Sequence, residues 1–196
     1  MANSEKSTDQ PLTSAGQNIF LVGPMGVGKS TIGRQLARRL GLAFHDSDQA
    51  IEARTGVDIP RIFDIEGEAG FRRREQKIID ELTGLSGIVL ATGGGVVLSP
   101  ENRAHLSERG FVIYLRADAG QLLERTERDS QRPLLQQGDD KLERIQQLLT
   151  ERNALYTQLA HLIIDTDRLT VRRTVNNICR RLQAPASLSD DENPAS

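Results

Sequence analysis

Five short apolar runs mark the chain: Asn18–Val22, Ala43–His45, Ile88–Ala91, Phe111–Leu115 and Leu162–Ile164. None alternates cleanly between apolar and polar positions. That is the pattern of strands in a parallel sheet covered on both faces. Between the runs, apolar residues recur at helical spacing. The first helical stretch extends from Lys29 to about Leu40, with Ile32, Leu36 and Leu40 on one face and Gly41 as its stop. Others cover Asp58–Leu82, Pro100–Arg109, Ala119–Arg125, Asp140–Leu159 and Val171–Leu182, the first of these broken near Glu66-Gly67-Glu68. Strands alternating with helices predict a doubly wound α/β sheet that binds its ligands at the carboxyl ends of the strands.

Directly after the first strand stands Gly23-Pro24-Met25-Gly26-Val27-Gly28-Lys29-Ser30, the G-x-x-x-x-G-K-S pattern of a phosphate-binding P-loop. Its glycines let the backbone wrap so that several N–H groups point inward at phosphate oxygens. The helix that follows adds its positive N-terminal dipole. Lys29 supplies a point charge for the outer phosphates, and the Ser30 hydroxyl can bind the magnesium ion that travels with a nucleotide. The predicted ATP contacts here are Gly26, Val27, Gly28, Lys29, Ser30 and Thr31.

Composition narrows the setting. At 196 residues the chain has room for one domain with a substantial core. With 25 basic and 27 acidic residues it carries no single-sign field for nucleic acid or a membrane surface. Its one cysteine, Cys179, excludes an internal disulfide framework and fits a reducing compartment, the cytoplasm. No apolar run is long enough to span a bilayer. Residues 1–17 are polar and read as a disordered extension, and residues 184–196 as a disordered acidic tail, leaving a single domain over 18–183. Without a heptad seam or a long exposed apolar stripe, a monomer is expected.

Three further motifs fall at strand ends. Asp46-Ser47-Asp48 follows the second strand. Asp46 is placed to hold a magnesium-bound water opposite Ser30. Asp48 can accept hydrogen bonds from a substrate hydroxyl and take its proton. The competing reading makes Asp48 the cap of a helix starting near Gln49. Thr92-Gly93-Gly94-Gly95 follows the third strand and lets a small polar ligand sit directly on backbone N–H groups. The polar segment 126–139, with Arg128, Arg132, Pro133 and Gly138, is too long for a tight connection and reads as a mobile lid. On the long helix, Arg72 and Glu75 share a face at i and i+3, while Arg73 and Arg74 turn elsewhere. A guanidinium and a carboxylate held together make a clamp for an anionic, hydroxylated substrate. A solvated charged face is the other reading of that run, and by composition alone Arg152 is a surface residue.

Taken together, these residues resemble the shikimate kinase family over about Asn18 to Asp167. The resemblance is carried by the P-loop, Asp46-Ser47-Asp48 with Ile51, Glu52, Thr55 and Gly56, Ile62-Phe63, Gly67-Glu68, Phe71-Arg72 with Glu75, the triple glycine, Arg132-Pro133-Leu134, and Arg152 with Leu155-Tyr156. It implies a three-layer α/β/α P-loop kinase fold with sheet order 2-3-1-4-5, a substrate-binding region over about 47–82 and a lid over about 126–139. It implies transfer of the ATP γ-phosphoryl group to the 3-hydroxyl of shikimate, on the way to chorismate and the aromatic amino acids. Carried over by position, Arg72 and Arg152 match the family's carboxylate-binding arginines and Asp48 its hydroxyl-binding aspartate. Gly93, Gly94 and Gly95 match its backbone contacts, Arg132 its lid arginine, and Arg125 an arginine beside the adenine. Phe63 and Phe71 match apolar walls of the shikimate pocket. The loop Asp165–Val171 lacks the proline that some members carry there.

Rival readings remain at this point. One is another small-molecule kinase of similar fold, for gluconate or a nucleotide. Another is a nucleotide-dependent switch without turnover, although the N-K-x-D segment that reads guanine does not occur.

Overall fold

A computed structural model describes residues 16–126 and 141–183. The segments read as an N-terminal extension, a lid with Arg132, and an acidic tail lie outside those residues, apart from their first or last positions.

Five parallel strands form one sheet: β1 (Ile19–Val22), β2 (Ala43–Asp46), β3 (Ile88–Ala91), β4 (Phe111–Arg116) and β5 (Leu162–Asp165). Their spatial order is β2-β3-β1-β4-β5. Three of them run one residue further than the apolar pattern predicts, ending on Asp46, Arg116 and Asp165. A strand's carboxyl end meets solvent and ligands, so a polar residue there continues the ladder without entering the core.

Successive side chains of a strand point to opposite faces, and the core divides accordingly. Ile19, Leu21, Val89, Ile113 and Ile164 pack with Ile32 and Leu36 of α1 (Lys29–Leu40) and Val175, Ile178 and Leu182 of α7 (Val171–Gln183). Phe20, Val22, Leu90, Val112 and Tyr114 pack on the other face. There they meet Ile79 of α3 (Ile59–Thr83), Leu106 of α4 (Pro100–Arg109) and Tyr156 of α6 (Lys141–Leu159). Adjacent strands β1 and β3 thus feed helices on opposite faces, α1 and α4. A crevice opens where their carboxyl ends part.

A smaller core of Ile51, Ile62, Phe71 and Ile78 joins α2 (Ser47–Thr55) to α3. The helix α3 is interrupted where the sequence predicts: Gly67 takes φ 68° and ψ −177°, which only glycine adopts at low cost. The remaining helix, α5 (Ala119–Thr126), precedes the segment outside the described residues. No described helix is long and apolar enough to cross a membrane.

Candidate active site

The phosphate loop is shaped by backbone constraints. Gly26 and Gly28 hold left-handed φ of 77° and 99°. Gly28 is the N-cap of α1, so the helix points its free amides into the loop. Lys29 is buried, and its Nζ donates to the carbonyl oxygens of Gly23 and Pro24, each at 2.7 Å.

Ser30 Oγ donates to Asp46 Oδ2 at 2.6 Å. The other oxygen, Asp46 Oδ1, accepts from the amides of Asp48 at 3.0 Å and Gln49 at 3.3 Å. The cap of α2 is therefore Asp46, and the alternative of Asp48 as a cap is excluded. One carboxylate both starts the helix and meets Ser30, leaving Asp48 to face the cavity. A hydroxyl and a carboxylate in contact form a hard-oxygen donor set that fits a magnesium ion retaining waters and phosphate oxygens as its other ligands. No cluster of three or more His, Cys, Asp or Glu suited to an all-protein metal cage occurs among the described residues.

Opposite the loop lies a second set of groups. Arg72 Nη1 donates to Glu75 Oε2 at 2.8 Å, and Nη2 to Glu68 Oε1 at 2.9 Å. Glu75 is 1% exposed. Burial pushes its carboxyl above the ordinary range, against the opposing charges of Arg72 and Arg152. For Arg72, burial works against the charge, but Glu75 and Glu68 more than offset it and hold the guanidinium above its usual value. Arg73 is exposed and Arg74 pairs with Glu66, so both turn elsewhere as the helical spacing predicts.

The triple glycine runs through the middle of this set. A Cβ on Gly93 would stand 2.8 Å from both Asp48 Oδ1 and Glu75 Oε1. One on Gly94 would lie 3.2 Å from the Met25 amide of the phosphate loop, and one on Gly95 would strike the Arg72 guanidinium. Each glycine thus lets a different part of the site close in. The amides of Gly94 and Gly95 donate to no acceptor among the described residues.

Arg152, a surface residue by composition, is 6% exposed. It reaches the Gly94 carbonyl through Nη1 at 3.4 Å. Its Nε and Glu75 Oε1 are buried with no partner among the described residues. Phe63 and Phe71 meet with ring centroids 4.9 Å apart and wall the far side. A single cavity of about 470 Å³ takes in Gly26, Gly28, Lys29, Ser30, Thr31, Asp46 and Asp48 together with Phe63, Phe71, Arg72, Glu75, Gly93, Gly94, Gly95, Arg125 and Arg152. Val27 is buried, and its carbonyl accepts from Arg125 at 3.4 Å. Arg125 also donates to the Thr166 carbonyl at 3.0 Å, tying the phosphate loop to the loop after β5.

Three supporting residues went unnoticed in the sequence. Ser47, fully buried, accepts the Gly93 amide at 3.0 Å. Thr166 and Gln121 orient Arg125, Gln121 Oε1 accepting from it at 2.9 Å. A serine between two aspartates, a threonine in a loop and a glutamine on a short helix carry no pattern that marks them.

A phosphoryl donor and a small acceptor can meet here in one cleft, which is what a P-loop small-molecule kinase requires. Residues 25–183 match the family described as Shikimate kinase. Shikimate kinase of Legionella pneumophila (strain Corby) is 59% identical over 166 residues, which are 85% of this chain and 94% of that protein. The solved shikimate kinase from Acinetobacter baumannii, in complex with shikimate, superposes with a TM-score of 0.81 at 46% identity, over 84% of this chain and 91% of that one. A gluconokinase from Sinorhizobium meliloti 1021 shares the fold alone, with a TM-score of 0.54 at 15% identity over 87% of this chain and 93% of its own. The chain belongs to the shikimate kinase family. It is an enzyme that transfers the γ-phosphoryl group of ATP to the 3-hydroxyl of shikimate, giving shikimate 3-phosphate and ADP.

Proposed function

We propose that the two halves of the cavity divide this reaction between donor and acceptor. The carrying observation is the convergence of Asp48, Arg72, Glu75, Arg152 and three bare glycines opposite the phosphate loop. Guanidinium groups on two separate helices suit a carboxylate, while Asp48 and free backbone amides suit hydroxyls. A nucleotide acceptor would call for an aromatic or amide-rich base pocket instead.

Lys29 and the loop amides hold the outer phosphates and stabilise the charge that develops on the transferring group. Ser30 and Asp46 would hold the magnesium ion, which neutralises phosphate charge when bound. Arg72 and Arg152 bind the shikimate carboxylate and turn that binding into alignment of the 3-hydroxyl. Asp48 accepts the hydroxyl's hydrogen bond and takes its proton late, since a loose transition state needs little base assistance. Arg125 lies beside the adenine. Arg132 falls outside the described residues, and its role at the reacting phosphates rests on the resemblance alone. The exposed large apolar side chains among the described residues, Val57, Ile65, Leu85 and Leu98, are scattered along the chain, which supports a monomer. The single, buried free thiol supports a cytoplasmic setting.

A coupled ADP-release assay with shikimate, gluconate and CMP tests the reading. Turnover with shikimate alone is expected. Faster turnover with gluconate or CMP would sink the acceptor assignment, and equal ADP release without any acceptor would sink the transfer itself.

A further inference from the structure

The glycine run poses a problem that its own residues cannot solve. Three consecutive glycines form the most flexible stretch a chain can have. Yet the amides of Gly94 and Gly95 serve a ligand only if their peptide planes are already fixed. Something outside the run must hold them.

Two hydroxyls from different helices, Ser47 of α2 and Tyr156 of α6, grip it. Ser47 Oγ accepts the Gly93 N–H at 3.0 Å. The Tyr156 hydroxyl donates to the Gly94 carbonyl, the oxygen of the peptide unit that carries the Gly95 amide. Tyr156 is 1% exposed, and its ring stacks on Tyr114 with centroids 4.9 Å apart. The Tyr114 hydroxyl in turn donates to Asn153 Oδ1 at 2.9 Å. Asn153 and Tyr156 belong to the same helix as Arg152, and Tyr156 lies one turn beyond that arginine. Burial drives the Tyr156 phenol well above its ordinary pKa, so it stays protonated and can donate throughout the neutral range.

We propose that Tyr156 is a positioning residue for the phosphoryl acceptor: its hydroxyl holds the Gly94 carbonyl, and with it the free amide of Gly95, toward the substrate, while Ser47 holds the Gly93 amide and the Val96 amide holds the Gly93 carbonyl of the unit between them. The inference rests on the acceptor-site reading above. It adds that one face of α6 sets both the arginine that meets the substrate and the backbone that the substrate lies on. Tyr156 touches no substrate in this account and acts wholly through the glycine run.

Tyr156→Phe keeps the ring and its stacking and removes one oxygen. The shikimate KM should rise about tenfold, the scale of one hydrogen bond lost when the carbonyl keeps only its long contact to Arg152. The ATP KM should stay within about twofold, because the phosphate loop keeps its own contacts. In 15N spectra of the shikimate-free protein, the Gly94 and Gly95 amide signals should broaden in the variant, and saturating shikimate should restore them. Ser47→Ala should reproduce the broadening. Thermal melting separates positioning from general damage. A fallen melting temperature with the KM of shikimate and of ATP raised alike would assign Tyr156 to the core only. Unchanged shikimate KM and sharp glycine signals in Tyr156→Phe would overturn the inference while leaving the acceptor site intact. Failure of the parent enzyme to phosphorylate shikimate would instead overturn the reading beneath it.

Discussion

The two halves of the active site are built by different means. The phosphate loop is contiguous, from Gly23 to Ser30, and works mainly through backbone amides and one lysine. The proposed acceptor pocket collects Asp48, Arg72, Glu75, Gly93–Gly95 and Arg152 from α2, α3, the loop after β3, and α6. A contiguous loop is organised by local torsions and a helix end. A dispersed pocket is organised by packing, so its charged groups are buried and must compensate one another. Substitutions should therefore act on single steps in the first half and propagate between residues in the second.

The largest effect is expected at Lys29. Lys29→Ala should lower kcat by about 10³-fold or more, since a charge that counts most in the transition state is lost. Steady-state rates on protein shown folded by circular dichroism would check it. Near-normal turnover would mean that the loop does not hold the reacting phosphates.

Asp48→Asn comes next, with kcat down about 10²-fold and ATP affinity nearly intact. Its dispersed setting yields a sharper companion. Gly93→Ala would place a methyl group against both Asp48 and Glu75, so it should copy the Asp48→Asn defect without altering any ionisable group. If Gly93→Ala keeps the parental kcat, the close packing of that carboxylate is not needed for turnover.

Arg152→Ala and Arg72→Ala should weaken shikimate by about 30- to 100-fold each, the lower end of the range for cutting a buried charge pair, with ATP scarcely affected. A shikimate analogue without its carboxylate should show little difference between parent and variant. Equal losses with both acceptors would make these arginines structural.

The smallest effect concerns Glu75, and its sign follows from burial. Its folded pKa lies above the ordinary 4.5, so the group's contribution to stability is full below that value. The contribution is lost as pH rises through the folded pKa. Glutamine imitates the protonated form at every pH. Urea midpoints for Glu75→Gln should therefore gain on the parent between pH 5 and pH 8. A variant that loses ground over that interval would show that Arg72, rather than burial, dominates the carboxyl.

What the sequence makes legible follows the same division. The phosphate loop, the five strands and the break at Gly67 are local signals, and all stand within one residue of where the pattern places them. Arg152 is the opposite case. Within its own helix it looks like any exposed arginine. Its burial is decided by Glu75 and Gly94, which are distant in the chain, and only the resemblance to a family brought it to the site. Ser47 and Thr166 escape for the same reason, because a hydroxyl's role depends on which distant amide or guanidinium arrives beside it. The helix Ser47–Thr55 was legible only through the question of what caps it, and its cap proved to be the neighbouring aspartate.

The loop's internal bonds have a thermodynamic corollary. Lys29 donates to the carbonyl oxygens of Gly23 and Pro24, and Ser30 to Asp46. Groups already paired within the loop bind by exchange: a phosphate and its cation must compete with these internal hydrogen bonds to make their own. A calorimeter would register only the difference, so the heat of ATP binding should be much smaller than its contacts suggest. Adenosine, which has no phosphate to offer in trade, has no means of opening the loop and should leave it folded on itself.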